Sequence, residues 1–226
     1  MYLVNSPESA SFMELMNTET GRKVLLGDKG KFHKSALNAI GYAHNALADA
    51  IPKVVALASD PTRTTVDQHH AARQIAGKVA TVLVQSQKSL EAASRDLAEE
   101  GNRIVADTFE LDANRQTIHS EIRGWIREQA KHPDGIIKIR EAAKTNSEVV
   151  TVLFGSPYFL LDLSEDTRGN IVLDGFKRFA PTGWTKIEQS RELAELAVKY
   201  PEAINKVHLY FYNPTIADQA SRRVEV

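Results

Sequence analysis

Two adjacent histidines, His69 and His70, are the most conspicuous candidates for metal chemistry. Ligands on one helix face stand three or four residues apart, whereas neighbours diverge by about 100°, so this pair cannot chelate from a helix. It reads as a solvated first turn. Glu128 and His132 do stand four apart, with Glu121 two turns earlier. Di-iron bundles repeat a Glu-x-x-His pair on a second helix, and neither condition is met. A helix-end ion pair, with His132 at the negative end of the dipole, accounts for these residues. Gly27-Asp28-Lys29-Gly30-Lys31 has the residue types of a phosphate loop without its spacing. Phe154-Gly155-Ser156-Pro157 lacks the second glycine of a nucleophile elbow. Both read as turns.

The aromatics Tyr158, Phe159, Phe176, Phe179, Trp184, Tyr210, Phe211 and Tyr212 could stack bases or sugars. Few cations accompany them beyond Lys177 and Arg178, so a packing role is expected. Arg95, Arg103, Arg115, Arg123 and Arg127 alternate with carboxylates, the pattern of a solvated or inter-helix ion-pair face. No catalytic, metal or cofactor residue is assigned, and no cofactor is expected.

The composition agrees. A net charge of -1 supplies no field to draw nucleic acid or anionic lipid. Without cysteine there is no disulfide, thiolate nucleophile or cysteine-ligated metal. The first residues lack the basic start and apolar run of a signal peptide. The longest apolar stretch, residues 149–163, is interrupted by Gly155, Ser156, Pro157 and Asp162, short of the roughly 20 residues that span a bilayer. These features predict a soluble protein made in a reducing cytosol.

The elements that must position these residues are read from caps and spacing. Ser6-Pro7 opens a helix to about Met16. Residues 18–30 read as a loop with a short strand at 23–26. Asp28 caps a second helix, which Pro52 kinks and Ser59-Asp60-Pro61 ends. Thr64-Thr65-Val66-Asp67 opens a long helix, and no proline follows until Pro133. Beyond it, Asp134 caps 136–145, Asn146 caps 149–154 and Ser156-Pro157 restarts a helix to Leu161. Thr185-Lys186-Ile187-Glu188 is a capping box, and residues 202–212 fit a strand or, preferably, a helix. A polar tail follows Ile216. The fold class is therefore all-α: a long antiparallel helical hairpin or coiled-coil-like region, 1–132, followed by a compact module of short helices, 133–226.

Within the long segment Leu83, Leu90, Leu97, Ile104, Leu111, Ile118 and Trp125 recur every seven residues. The companion position is Val79, Ser86 and Ala93, then polar from Glu100 onward, so this is no simple zipper. Gly77, Gly101 and Gly124 favour a bend at one of them. Two readings stand: one unbroken rod, about 100 Å long if some 68 residues are helical, or two helices with a junction near 110–114. In either, the stripe is a helix-packing interface and favours a homo-oligomer.

Glu141-Ala142-Ala143, Glu148-Val149-Val150 and the run from Val152-Leu153-Phe154 to Asp162-Leu163-Ser164 resemble a segment of uncharacterised helical proteins of tailed bacteriophages and prophages. Lys177-Arg178-Phe179-Ala180-Pro181 occupies the place of a similar element there. The resemblance implies a phage protein with no assigned catalytic residue. Together with the apolar stripe it leads to the expectation of a non-enzymatic virion structural or assembly protein, made in the bacterial host cytoplasm, with copies of itself and other virion proteins as partners. A membrane-active ejection protein using 149–163 after delivery, or an intracellular helical enzyme or regulator with a site drawn from distant residues, are the alternatives.

Overall fold

The computed structural model describes residues 2–222, and every regular element among them is helical. The order is α1 (Pro7–Asn17), α2 (Glu19–Leu26), α3 (Leu37–Ala58), α4 (Thr65–Thr108), α5 (Gln116–Ala130), α6 (Gly135–Thr145), α7 (Ser147–Gly155), α8 (Glu165–Phe179), α9 (Pro181–Ala197), α10 (Tyr200–Phe211) and α11 (Pro214–Ala217). Short 3-10 turns join several of them. The all-α fold class expected from the sequence is the one observed.

Contacts divide the chain into two units, Met1–Arg95 with Gln189–Val226, and Asp96–Glu188. The division expected at 132/133 is not where the packing changes. Ile126 before it and Ile139 after it share one core, because α5 and α6 fold against each other across the His132-Pro133 turn.

In the first unit α1, α2 and α3 pack together and α10 packs on α1 and α2. The Ser6 hydroxyl accepts the Ser9 amide at 3.1 Å, with Pro7 in the first turn, as read from the sequence. Thr18 accepts the Gly21 amide at 3.0 Å and starts α2, where a loop with a strand was expected. The Glu19–Lys23 pair at 2.8 Å, one turn apart, adds to that helix and lowers the Glu19 pKa. Asp28 caps the 3-10 turn Lys29–Lys31, not α3. α3 runs through Pro52 because the adjacent turns bury Ala50, Ile51 and Val54, and this packing outweighs the lost hydrogen bond.

Gly27 has φ 94°, and a Cβ there would meet Leu196 Cδ2 at 2.8 Å, so only glycine fits both the turn and the neighbour. The Tyr200 hydroxyl donates to the Leu26 carbonyl at 3.1 Å, and burial pushes its pKa up. Residues expected as a tail are helical through α11 and the turn Asp218–Arg222. Asn213 caps α11, Ala217 is buried and Asp218 pairs with Arg73. Residues 223–226 lie outside the described part.

In the second unit α6, α7 and α8 pack mutually, and α5 lies on α6 and α7. Their core includes Phe109, Ile126, Ile139, Val150, Leu153 and Leu161. Asn146 caps α7 by accepting the Glu148 amide at 2.9 Å. Ser164 does the same for α8, a helix the sequence reading did not place, with the Thr167 amide at 3.2 Å. Asp134 stands at the start of α6 but pairs with Lys138 at 2.9 Å instead of capping. α9 starts at Pro181, so the capping box read at 185–188 lies inside the helix.

Candidate interaction site

The seven-residue stripe is real over half its length. On α4 the buried positions of the stripe are His69, Ala72, Ala76, Val79, Leu83, Ser86, Leu90, Ala93 and Leu97, with Ser94 buried beside it. The steps are three, four, three, four: a two-position heptad seam, with small residues at the companion position. Small residues let a neighbouring backbone come close, which a seam of large side chains would prevent. Leu83 and Leu90 are fully buried by the chain itself, so their packing partners are intramolecular.

After Leu97 the buried positions step by four, to Gly101, Val105 and Phe109. Three steps of four are a stutter, which rotates the apolar face away from the heptad. Ile104 is left half-buried while Val105 takes the core position. α4 then stops at Thr108. Asp112 has an extended backbone and accepts the Asn114 amide at 2.8 Å, nucleating a separate turn before α5. The two-helix reading with a junction near 110–114 is therefore the one observed, and none of the three glycines breaks a helix. Gly101 serves packing instead: a Cβ there would lie 2.8 Å from the Gly183 carbonyl oxygen and 2.8 Å from Ile187 Cγ1.

On α5 the seam resumes one residue late, at His119 and Ile126, with Ile122 against the same core. Ile118 is 43 % exposed and Leu111 38 % exposed, while Trp125 packs on the core from the side. Of the seven residues expected to form one interface, three are buried within the chain, two are half-covered and two face outward.

Leu111 does not stand alone. A Cβ on Gly155 would meet its Cδ1 at 2.6 Å, so Leu111 lies against the end of α7. There Phe154, Tyr158, Phe159 and Leu160 are all exposed, Phe159 by 65 %. The Tyr158 and Phe159 rings meet edge to face at 6.0 Å. The turn is pinned from below by arginines. Arg168 donates to the Leu153 carbonyl at 3.0 Å, satisfying the end of α7, and Arg127 donates to the Leu160 carbonyl at 3.5 Å. The stretch 149–163 is thus core at both ends, with an apolar turn between them.

The remaining candidates resolve as structure. His69 is buried, not solvated: its Nδ1 accepts the Asn213 amide at 3.0 Å, and burial lowers its pKa. His70 turns to Gln74. Glu128 pairs with Lys131 at 3.0 Å, with His132 Nε2 3.8 Å away, and no metal-holding group of residues occurs among the described residues. The 27–31 loop lines a cavity of about 300 Å³ with Glu19, Arg22, Lys23 and His44. His44 donates to the Gly27 carbonyl at 2.9 Å, and burial lowers its pKa. Of the aromatics, Phe211 and Tyr212 are buried in the first unit and Trp184 is buried in the second, each as a packing residue.

One buried group escaped the sequence reading. His119 Nε2 lies 3.0 Å from Glu148 Oε2, and Arg115 bonds the other carboxylate oxygen. These residues tie the start of α5 to the start of α7. Glu148 lies 29 residues from His119, a separation at which no motif spacing betrays a pair. No helix among the described residues is long and apolar enough to cross a membrane. No family model matches the chain, and neither does any curated protein or solved structure.

Proposed function

We propose that this chain is a non-enzymatic assembly protein of a tailed-bacteriophage particle, working by contact between copies of itself through the apolar turn at 154–160 and Leu111. The exposure of Phe154, Tyr158, Phe159, Leu160 and Leu111 together carries the reading. Clustered large apolar side chains at a surface favour a partner that removes them from water, at about 25 cal/mol per Å². Both charge signs rim the patch: Glu110 and Asp112 flank Leu111, while Arg127 and Arg168 hold the turn. A second copy related by a two-fold axis would set acid against base around an apolar centre. The phage context is supported by the resemblance of the segments at 141–164 and 177–181. On this reading the chain belongs to the virion, with other virion proteins as further partners.

Light scattering after size exclusion tests the reading. The wild-type chain is expected to self-associate with rising concentration, and Phe159→Asp to remain monomeric with an unchanged melting temperature. A wild-type monomer at every concentration would remove self-association. If the chain instead floats with anionic vesicles, and Phe159→Asp does not, the turn is a membrane anchor and the ejection alternative takes its place.

A further inference from the structure

A second surface feature of Asp96–Glu188 shares no residue with the apolar turn. Between α6 and α8 lies a cavity of about 460 Å³. Its floor is apolar, formed by Ala143 and Ile171, and its walls carry Arg140, Lys144, Lys177 and Arg178. Two carboxylates oppose these four cations. Asp174 stands in the wall, and Glu141 engages Lys144 at 2.7 Å. In a chain of net charge -1 this is a local excess of positive charge.

Helical spacing makes the cluster. Arg140 and Lys144 are four apart on α6, and Asp174 and Arg178 four apart on α8, so each helix presents its charges along the edge facing the cavity. Asp174 partly balances Arg178 across one turn and Glu141 balances Lys144, which leaves Arg140 and Lys177 as the uncompensated charge at the cavity. Lys177 is held with its ammonium 5.2 Å from the Trp184 ring centre, which fixes one cation at the wall. Among the described residues no ion pair engages Arg140 or Arg178. Guanidinium groups grip a phosphate with two parallel hydrogen bonds, a geometry ammonium groups lack.

We infer that this cavity binds a small phosphomonoester. The volume lies in the range of small-molecule sites and leaves most of its space empty around a bare phosphate. The ligand therefore carries an organic body beyond its phosphate. Asp174, an acceptor among donors, takes a hydroxyl or amino hydrogen from that body. The same carboxylate disfavours the backbone of a nucleic-acid duplex, which would bring phosphates to every part of the rim.

Titration calorimetry and thermal melting on the full chain test this with three probes: adenosine 5'-monophosphate, inorganic phosphate and a short DNA duplex. The nucleotide is expected to bind at least about tenfold more tightly than phosphate and to raise the melting temperature. Arg140→Ala and Arg178→Ala should each weaken it by about tenfold or more, the scale of a lost charge-assisted contact, while Lys131→Ala leaves it unchanged. Ribose 5-phosphate binding as tightly as the nucleotide would keep the phosphomonoester and remove any role for the base. No heat and no melting shift at millimolar nucleotide overturns the inference, as does equal binding of phosphate alone. Tight duplex binding without nucleotide binding also overturns it, in favour of a nucleic-acid surface. The melting curves of both variants establish that lost binding is not lost folding.

Discussion

Leu83 and Leu111 occupy the same place in one seven-residue repeat and meet opposite fates. Leu83 is wholly buried; Leu111 is 38 % exposed beside an apolar turn. Around Leu83 the companion position carries Val79 and Ser86, so the helix face is narrow, flat and open to close approach. Around Leu111 the helix has already ended, since Asp112 spends its side chain on a turn amide. A repeat buries its residues only while the helix persists and the face keeps its rotation. Here the stutter after Leu97 ends the second condition and the stop at Thr108 ends the first.

The contrast is sharpest in the core. Leu83→Ala should cost about 2–5 kcal/mol in chemical denaturation, the range for a buried leucine, whereas Ile118→Ser should change stability by no more than about 0.5 kcal/mol. Equal costs would mean that the exposed half is covered as well as the buried half.

The glycines give the next test. Gly101→Ala should destabilise by about 1–3 kcal/mol, because its Cβ strikes the Gly183 backbone. Nothing lies within 4 Å of a Cβ at Gly77. Gly77→Ala should therefore stabilise α4 by about 1 kcal/mol through helix propensity. Melting curves of the two variants should move in opposite directions; movement in the same direction would refute the distinction between packing glycine and tolerated glycine.

The smallest effect expected is that of pH. Burial keeps His44 and His69 neutral, with pKa values below the ordinary 6.5. Below that pH the unfolded chain takes up protons that the folded chain refuses, so stability falls as pH drops from 6.5. Charged neighbours oppose one another at His44, where Lys29 and Arg22 disfavour the proton and Glu19 favours it. At His69 burial acts by itself. The melting temperature should be lower at pH 5.5 than at 7.5, and His69→Gln, which keeps an acceptor for the Asn213 amide, should flatten part of that slope. A slope unaffected by the substitution would remove His69 from the account.

Local chemistry made much of this fold legible. Ser6, Thr64 and Asn146 cap the helices their spacing announces, because a short polar side chain before a helix satisfies an amide two or three residues on. α8 escaped because its first residues, Glu165 to Asn170, show no apolar period. The surface sites were less legible. The cations of the 460 Å³ cavity come from two helices more than 30 residues apart in sequence, and Phe159 looks like a core residue until its neighbours are placed.

By itself, the sequence determined that the chain is helical and that its long segment carries a seven-residue apolar repeat, while leaving open whether a junction near Asp112 interrupts it. Those properties reside in backbone spacing and short-range hydrogen bonds. Tertiary structure alone decided which part of the repeat is covered, since covering depends on where α9 brings Gly183 and Ser190. Gly183 meets Gly101, and the Ser190 carbonyl accepts the Ser94 hydroxyl at 2.8 Å. Periodicity sets which face of a helix is apolar; whether that face meets chain or solvent is a long-range fact.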